Sequence, residues 1–159
     1  MRVPNVIALP IAILIPLAVG SIGGLITFEA IPTWYRELVR PAWNPPDWVF
    51  GPVWTALYIM MGLSTWLVWR MGWHVPRVRL ALGMFASQLG LNFLWSVIFF
   101  GLKEIGLAFF DIIVLLVVIA ITGLRFLSLE PLAGVLMFPY FMWVTFAAFL
   151  NAAIWWLNR

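Results

Sequence analysis

Groups able to do acid–base or ligating chemistry are few in this sequence, and they are scattered. Asp111 is the one acid well inside an apolar run. At about 100° per residue it shares a helix face with Glu104 and Thr122, which predicts a polar seam and an interhelical hydrogen bond. His74 is the only histidine and stands beside Trp73 and Pro76. With no second histidine near it, it is a poor ligand for a metal or a haem iron. Cysteine is absent, which excludes disulfides, thiol nucleophiles and thiolate metal sites. No nucleophile and base stand at a spacing that would support conventional catalysis. What remains is binding chemistry, carried by carboxamides, hydroxyls and the π faces of 11 tryptophans.

Three stripes gather those groups. Gln88, Asn92 and Ser96 fall on one helical face together with Trp95 and Phe99. Trp54, Tyr58, Met61 and Thr65 form a second stripe, and Tyr140, Trp143, Ala147, Leu150 and Asn151 a third. A polar and aromatic stripe in an apolar helix faces the bundle interior or a cavity, because unpaired polar groups in hydrocarbon are costly. Two readings stand: interhelical hydrogen bonding without a ligand, or the wall of a small-molecule site between helices. Opposite the first stripe lie Gly83, Ala86 and Gly90, with Ser87 at the edge. Small residues let another helix approach closely, so this face predicts a homodimer contact.

The elements that must position these stripes follow from composition. The apolar share is 65% and the charged share 9%, far from soluble proteins at roughly 45–50% and about 25%. The solvent for most of this surface is therefore lipid, and the chain reads as a multi-pass integral membrane protein. A spanning helix needs about 20 mainly apolar residues. Five such runs occur, near residues 6–28, 49–71, 80–100, 105–126 and 132–156. They predict an all-α bundle of five transmembrane helices forming a single domain, 1–159. Short connections between the last four predict antiparallel neighbours in chain order. The first run also admits a signal-peptide reading, with Arg2 as its charged start and Ala18-Val19-Gly20 as a cleavage site. Its length and its Pro10 and Pro16 favour a helix.

The net charge is +3 over nine Lys and Arg. None form the runs that bind nucleic acid, so interface anchoring is the simpler account. With five spans, Arg2, Arg70, Arg77, Arg79 and Arg125 fall on one side and Arg36, Arg40, Lys103 and Arg159 on the other. That split is too even to fix orientation by the positive-inside rule. Trp66, Trp69, Trp73, Trp155 and Trp156 sit at span ends, as interfacial belt residues do.

The one long connection, 29–48, is rich in aromatics and proline. Thr33 is placed to cap a short helix that runs to Val39 and stops at Pro41, and Pro45-Pro46 stiffens an extended stretch before the second span. The segment predicts a structured lid over one mouth of the bundle, with a plain interfacial loop as the alternative.

Trp34-Tyr35 and the run Arg40-Pro41-Ala42-Trp43-Asn44-Pro45-Pro46-Asp47-Trp48-Val49-Phe50-Gly51-Pro52-Val53-Trp54-Thr55-Ala56-Leu57-Tyr58 resemble the signature of the TspO/MBR family. This family comprises the tryptophan-rich sensory proteins of bacteria and the translocator proteins, or peripheral benzodiazepine receptors, of mitochondria. Gln88, Leu91-Asn92, Trp95, Phe99-Phe100-Gly101, Asp111, Pro139-Tyr140, Trp143 and Leu150-Asn151 extend the likeness over essentially the whole chain. The resemblance implies a dimer of five-helix bundles in a bacterial membrane. It also implies binding of porphyrins (protoporphyrin IX or haem, with no cofactor required), sterols or other lipids, and isoquinoline or benzodiazepine drugs. The implied pocket falls on Trp54, Asn92, Trp95, Trp143, Ala147 and Leu150, with Tyr58 on the Trp54 face and Tyr35 and the Pro45-Pro46 loop as its cap. A porphyrin would stack on Trp54 and Trp143, and Asn92 would supply a hydrogen bond.

The C-terminal cholesterol motif of animal members needs a tyrosine and then a basic residue. Here the stretch reads Leu150-Asn151-Ala152-Ala153-Ile154-Trp155-Trp156, with neither. A reversed pattern, Lys103 to Phe109 to Val114, is of a kind that arises by chance. Three functions compete. One is a porphyrin sensor that regulates tetrapyrrole or stress responses. Another is a porphyrin or lipid transporter, although the inverted repeats and charged midplane path of many transporters are missing. The third is porphyrin degradation driven by light and oxygen, using the redox-active indoles of Trp54 and Trp143.

Overall fold

The computed structural model describes the backbone of residues 5–159 and the side chains from Ile7 onward. Arg2 lies outside the described residues. Among the described residues, five helices are long and apolar enough to cross a membrane: α1 (Asn5–Ala30), α2 (Asp47–Trp69), α3 (Pro76–Ser96), α4 (Ile105–Leu129) and α5 (Pro131–Leu157). Pro76 and Pro131 open their helices at the first position, where a missing N–H costs nothing. Each span lies within a few residues of its expected place.

The connection after α1 is shorter than the sequence predicts. The helix passes directly into a π-helical turn, Ile31–Tyr35, and stays helical to Glu37. Thr33 therefore caps nothing. Its hydroxyl donates to the carbonyls of Glu29, at 2.9 Å, and Ala30, at 3.3 Å, inside the continuing helix. Only residues 38–46 are left as irregular chain. A second π-helical turn, Val97–Gly101, ends α3. Such turns shift the register of the residues after them and occur frequently at functional sites.

Packing order also departs from chain order. α3–α4 and α4–α5 are neighbours, as short connections predict, but α2 packs chiefly on α1 and α5 and only lightly on α3. The bundle thus runs α1, α2, α5, α4, α3 and back to α1. At the end away from the lid it is dry and tight. Met61, Val68, Val78, Ala81, Phe126 and Ala133 have no exposure there. The Ser64 hydroxyl donates to the Ala133 carbonyl at 2.7 Å, joining α2 to α5. Glycines set the closest approaches. A Cβ on Gly62 would stand 2.5 Å from the Ile13 Cα, and one on Gly134 2.5 Å from the Leu127 Cα.

Aromatics and cations mark the span ends. Trp69, Trp73 and Trp156 are exposed. The guanidinium of Arg70 lies 5.2 Å from the Trp66 ring, and that of Arg159 lies 4.7 Å from Trp155 and 4.4 Å from Trp156. Arg70 also reaches Glu130 at 3.8 Å, tying the α2 end to the α4–α5 corner.

Candidate functional site

Toward the lid the helices separate, and a cavity of about 450 Å³ opens among α1, α2, α3 and α5. This is within the range typical of small-molecule sites. Trp54 and Tyr58 stack at 5.5 Å on the α2 side, and Trp54 also meets the Tyr140 ring edge at 6.3 Å. From α3 and its π-helical turn come Trp95, Ser96, Phe99 and Phe100, with Trp95 stacked on Phe99 at 5.2 Å. Trp143, Ala147 and Leu150 of α5 complete that wall. Tyr35 lies at the lid end, its ring 5.7 Å from Phe100 and 6.3 Å from Phe99. The two π-helical turns thus meet through their aromatic rings.

Of the residues singled out from sequence, Tyr35, Trp54, Tyr58, Trp95, Trp143, Ala147 and Leu150 line this one cavity. Two stand elsewhere. Asn92 is 2% exposed and lies behind Tyr58, whose hydroxyl donates to its Oδ1 at 2.7 Å. That oxygen is already engaged within the protein, so Asn92 orients Tyr58 on the wall. Pro45 borders a separate open depression with Leu38, Arg40, Asn44, Pro46 and Asp47.

The remaining amides of the stripes join helices. Tyr140 donates to Gln88 Oε1 at 2.7 Å. Trp95 Nε1 donates to Asn151 Oδ1 at 3.0 Å, and Asn151 Nδ2 donates to the Ile105 carbonyl at 2.9 Å. The two readings of the α3 polar stripe therefore divide along its length: Gln88 and Asn92 serve helix contacts, and Ser96 faces the cavity, while Asn151 of α5 both joins helices and lines the cavity. Asp111 does not follow the expected seam, because its Oδ2 is buried with no hydrogen-bond partner among the described residues and Thr122 donates to the Val118 carbonyl of its own helix. The Trp143 indole N–H is likewise buried without an acceptor. Such a group costs about 1–3 kcal/mol.

Several cavity residues lie on none of the three stripes. Leu17, Gly20, Ser21, Gly24, Thr27 and Phe28 bring α1 into the wall, and Trp48, Gly51 and Thr55 extend the α2 side. The i, i+1, i+4 grouping of Gly20, Ser21 and Gly24 was the available sign, since small residues on one membrane-helix face mark a close or open approach.

The lid is held at three points. Tyr35 donates to Asn44 Oδ1 at 2.8 Å. Arg40 reaches Asp47 at 3.3 Å, with its guanidinium 5.1 Å from the Tyr35 ring centre. The third point comes from the far end of the chain. Asn158, just after α5, accepts from the Val39 N–H at 3.0 Å and donates to the Val39 carbonyl at 2.9 Å. Trp43 packs edge-on against Phe146 at 5.8 Å and Trp34 against Phe99 at 5.7 Å, so two of the lid tryptophans brace the structure.

The TspO/MBR family profile matches residues 12–157, nearly the entire chain and every wall of the cavity. The chain belongs to the TspO/MBR family. Relatives within it include a tryptophan-rich protein TspO from Archaeoglobus fulgidus, 39% identical over 155 residues that cover 97% of this chain and 99% of the relative. The human translocator protein is 39% identical over 123 residues, 77% of this chain and 73% of its own. A tryptophan-rich sensory protein from Cereibacter sphaeroides is 40% identical over 118 residues, 74% and 72% respectively. Like the five spanning helices, membership of the TspO/MBR family makes this a multi-pass integral membrane protein.

Outside the cavity, Gly83, Ala86, Ser87 and Gly90 of α3 are exposed. A Cβ added at Gly83 or Gly90 would meet nothing within 4 Å.

Proposed function

We propose that this protein is a membrane receptor that binds porphyrins, and related flat lipophiles such as sterols or isoquinoline and benzodiazepine drugs, between its helices. It would thereby sense tetrapyrrole levels and regulate tetrapyrrole or stress responses. The observation that carries this reading is the cavity itself, walled by Trp54, Trp95, Trp143 and Phe99 with few polar groups. Flat indole faces separated by small side chains such as Ala147 and Ser96 suit a planar ring system. Asp47 and its ion-paired Arg40 stand at the lid end, where propionate groups of a porphyrin would reach polar surroundings. The test is titration of the purified protein with protoporphyrin IX in darkness, following tryptophan fluorescence. Saturable 1:1 quenching is expected, weakened about threefold to tenfold in Trp54→Phe and in Trp143→Phe, as for loss of one stacking contact. Quenching untouched by both substitutions would remove the cavity as the site.

Degradation driven by light, with dioxygen as the oxidant, is the second reading. The contact of Trp54 with Tyr58 and Tyr140 favours it, since neighbouring indole and phenol rings suit one-electron chemistry. Illuminating the same mixture decides between the two. A porphyrin spectrum that fades in light, and persists with Trp54→Phe, makes the protein degradative. Uptake of porphyrin into sealed vesicles would instead make it a transporter.

The exposed Gly83, Ala86, Ser87 and Gly90 face supports a homodimer through α3. Gly83→Leu with Gly90→Leu should convert a dimer in mild detergent to monomer, and an unchanged dimer rejects that surface.

A further inference from the structure

α1 and α2 are antiparallel and diverge steadily toward the lid. At Gly62 the backbones touch, since a Cβ there would lie 2.5 Å from Ile13 Cα and 2.8 Å from the Ala12 carbonyl. At Gly20 the gap is one ring wide, and a Cβ would strike the Tyr58 ring. At Gly24 and Gly51 a Cβ would meet nothing within 4 Å, yet both glycines line the cavity. Ser21, Gly24, Phe28, Trp48, Gly51 and Thr55 line the cavity and are exposed. Phe28 and Trp48, flanking the gap, are 78% and 76% exposed. The cavity therefore has a side opening between α1 and α2.

Its depth says what lies outside. The first span covers Ile7–Tyr35 and the second Asp47–Trp69. At 1.5 Å per residue Gly24 and Thr55 lie about 5 Å from the midpoints of their spans and Gly51 about 10 Å, all inside the roughly 15 Å half-thickness of hydrocarbon. Water has little hold there. The hydroxyls of Thr27 and Thr55 are turned back on the carbonyls of Gly23 and Gly51, at 3.0 and 2.9 Å. An apolar void left empty forfeits dispersion contacts on every wall.

We propose that this α1–α2 crevice is a lipid-side portal: an acyl chain of a neighbouring phospholipid on the lid side reaches through it into the cavity, and a bilayer-dissolved ligand takes the same route. The second half rests on the porphyrin-receptor reading; the first does not need it. The acyl chain is the natural occupant because at this depth the exposed Phe28 and Trp48 would meet hydrocarbon, and a chain is narrow enough to pass between glycines.

The test uses full-length protein in vesicles of phosphatidylcholine carrying a photoactivatable diazirine midway along one acyl chain, with no porphyrin present. Carbene adducts are mapped by mass spectrometry. Adducts are expected on Tyr58, Phe99 and Leu150, which are buried and reached only through the cavity, as well as on outward-facing Phe110 of α4. Gly24→Trp with Gly51→Trp should cut the cavity adducts at least tenfold and leave Phe110 labelling unchanged, which also reports that the bundle is intact. Gly24→Leu with Gly51→Leu, a smaller plug, should give a partial fall. Absence of cavity adducts in the unmodified protein overturns the proposal, and so do cavity adducts that persist in both plugged variants. Porphyrin binding is read separately, by stopped-flow quenching in darkness. Plugging should slow association at least tenfold, whereas protein that labels from lipid but never binds porphyrin keeps the acyl-chain portal and loses only the porphyrin reading.

Discussion

The two ends of this bundle are built from the same residue types to opposite effect. At the closed end, Gly62 and Gly134 bring backbones into contact, and Met61, Phe126 and Met137 fill the remaining space. At the open end, Gly24 and Gly51 face empty space and the large rings stand apart around a cavity. A glycine in a membrane helix marks a close approach only where something approaches. The difference lies in the partner surface, and sequence spacing alone does not carry it.

That contrast breaks most readily at the closed end. Gly62→Leu forces a side chain into the Ala12–Ile13 backbone, where the nearest atoms cannot yield, and should cost about 3 kcal/mol. Thermal unfolding in detergent would show it as a large fall in melting temperature, together with loss of porphyrin binding. A tolerated Gly62→Leu would mean that the two ends do not differ in packing. Next in size is Tyr58→Phe, which leaves the buried Asn92 Oδ1 without its donor and should cost about 1–3 kcal/mol. Tyr58→Phe combined with Asn92→Leu should recover part of that loss; a purely additive double variant would show that the hydrogen bond carries no coupling. Asn158→Ala removes both bonds to Val39 at an exposed position, worth about 1 kcal/mol. Ligand dissociation should then quicken about threefold to tenfold with little change in melting temperature. Smallest of all is Gly24→Leu. Nothing stands within 4 Å of the added Cβ, so stability should move by less than about 0.5 kcal/mol, and a fall comparable to that of Gly62→Leu would mean that α1 and α2 are in contact there, with no crevice between them.

Span positions were legible because twenty-residue apolar runs have few alternatives in water, and the Trp54, Trp95 and Trp143 stripes were legible because bulky aromatics and amides have a period. The contribution of α1 was not. It is apolar nearly all round, and only the small group Gly20, Ser21 and Gly24 distinguishes the face that meets the cavity from the face that meets lipid. Asn92 illustrates another limit: periodicity puts it on the correct side of α3, but whether it ends on the wall or behind Tyr58 depends on a ring from another helix. The lid is shorter than the sequence predicts because Thr33 reads equally as a helix cap or as a residue bonding back to Glu29. The Asn158–Val39 pairing joins residues 119 apart, beyond the reach of any local pattern. Similarly, short loops implied that α2 and α3 are close partners, whereas α2 turns its large faces to α1 and α5.

The Gly62–Ile13 contact has a mechanical consequence. It is a pivot, and the crevice is the far end of the lever. From Gly62 to Gly51 the arm is roughly 16 Å at 1.5 Å per residue, so a tilt of about 5° between the two helices changes the gap by about 1.4 Å. Under the receptor reading, such a tilt would change the width of the opening without disturbing the tightly packed end, and one cavity would take guests of different thickness by the angle at which two helices meet.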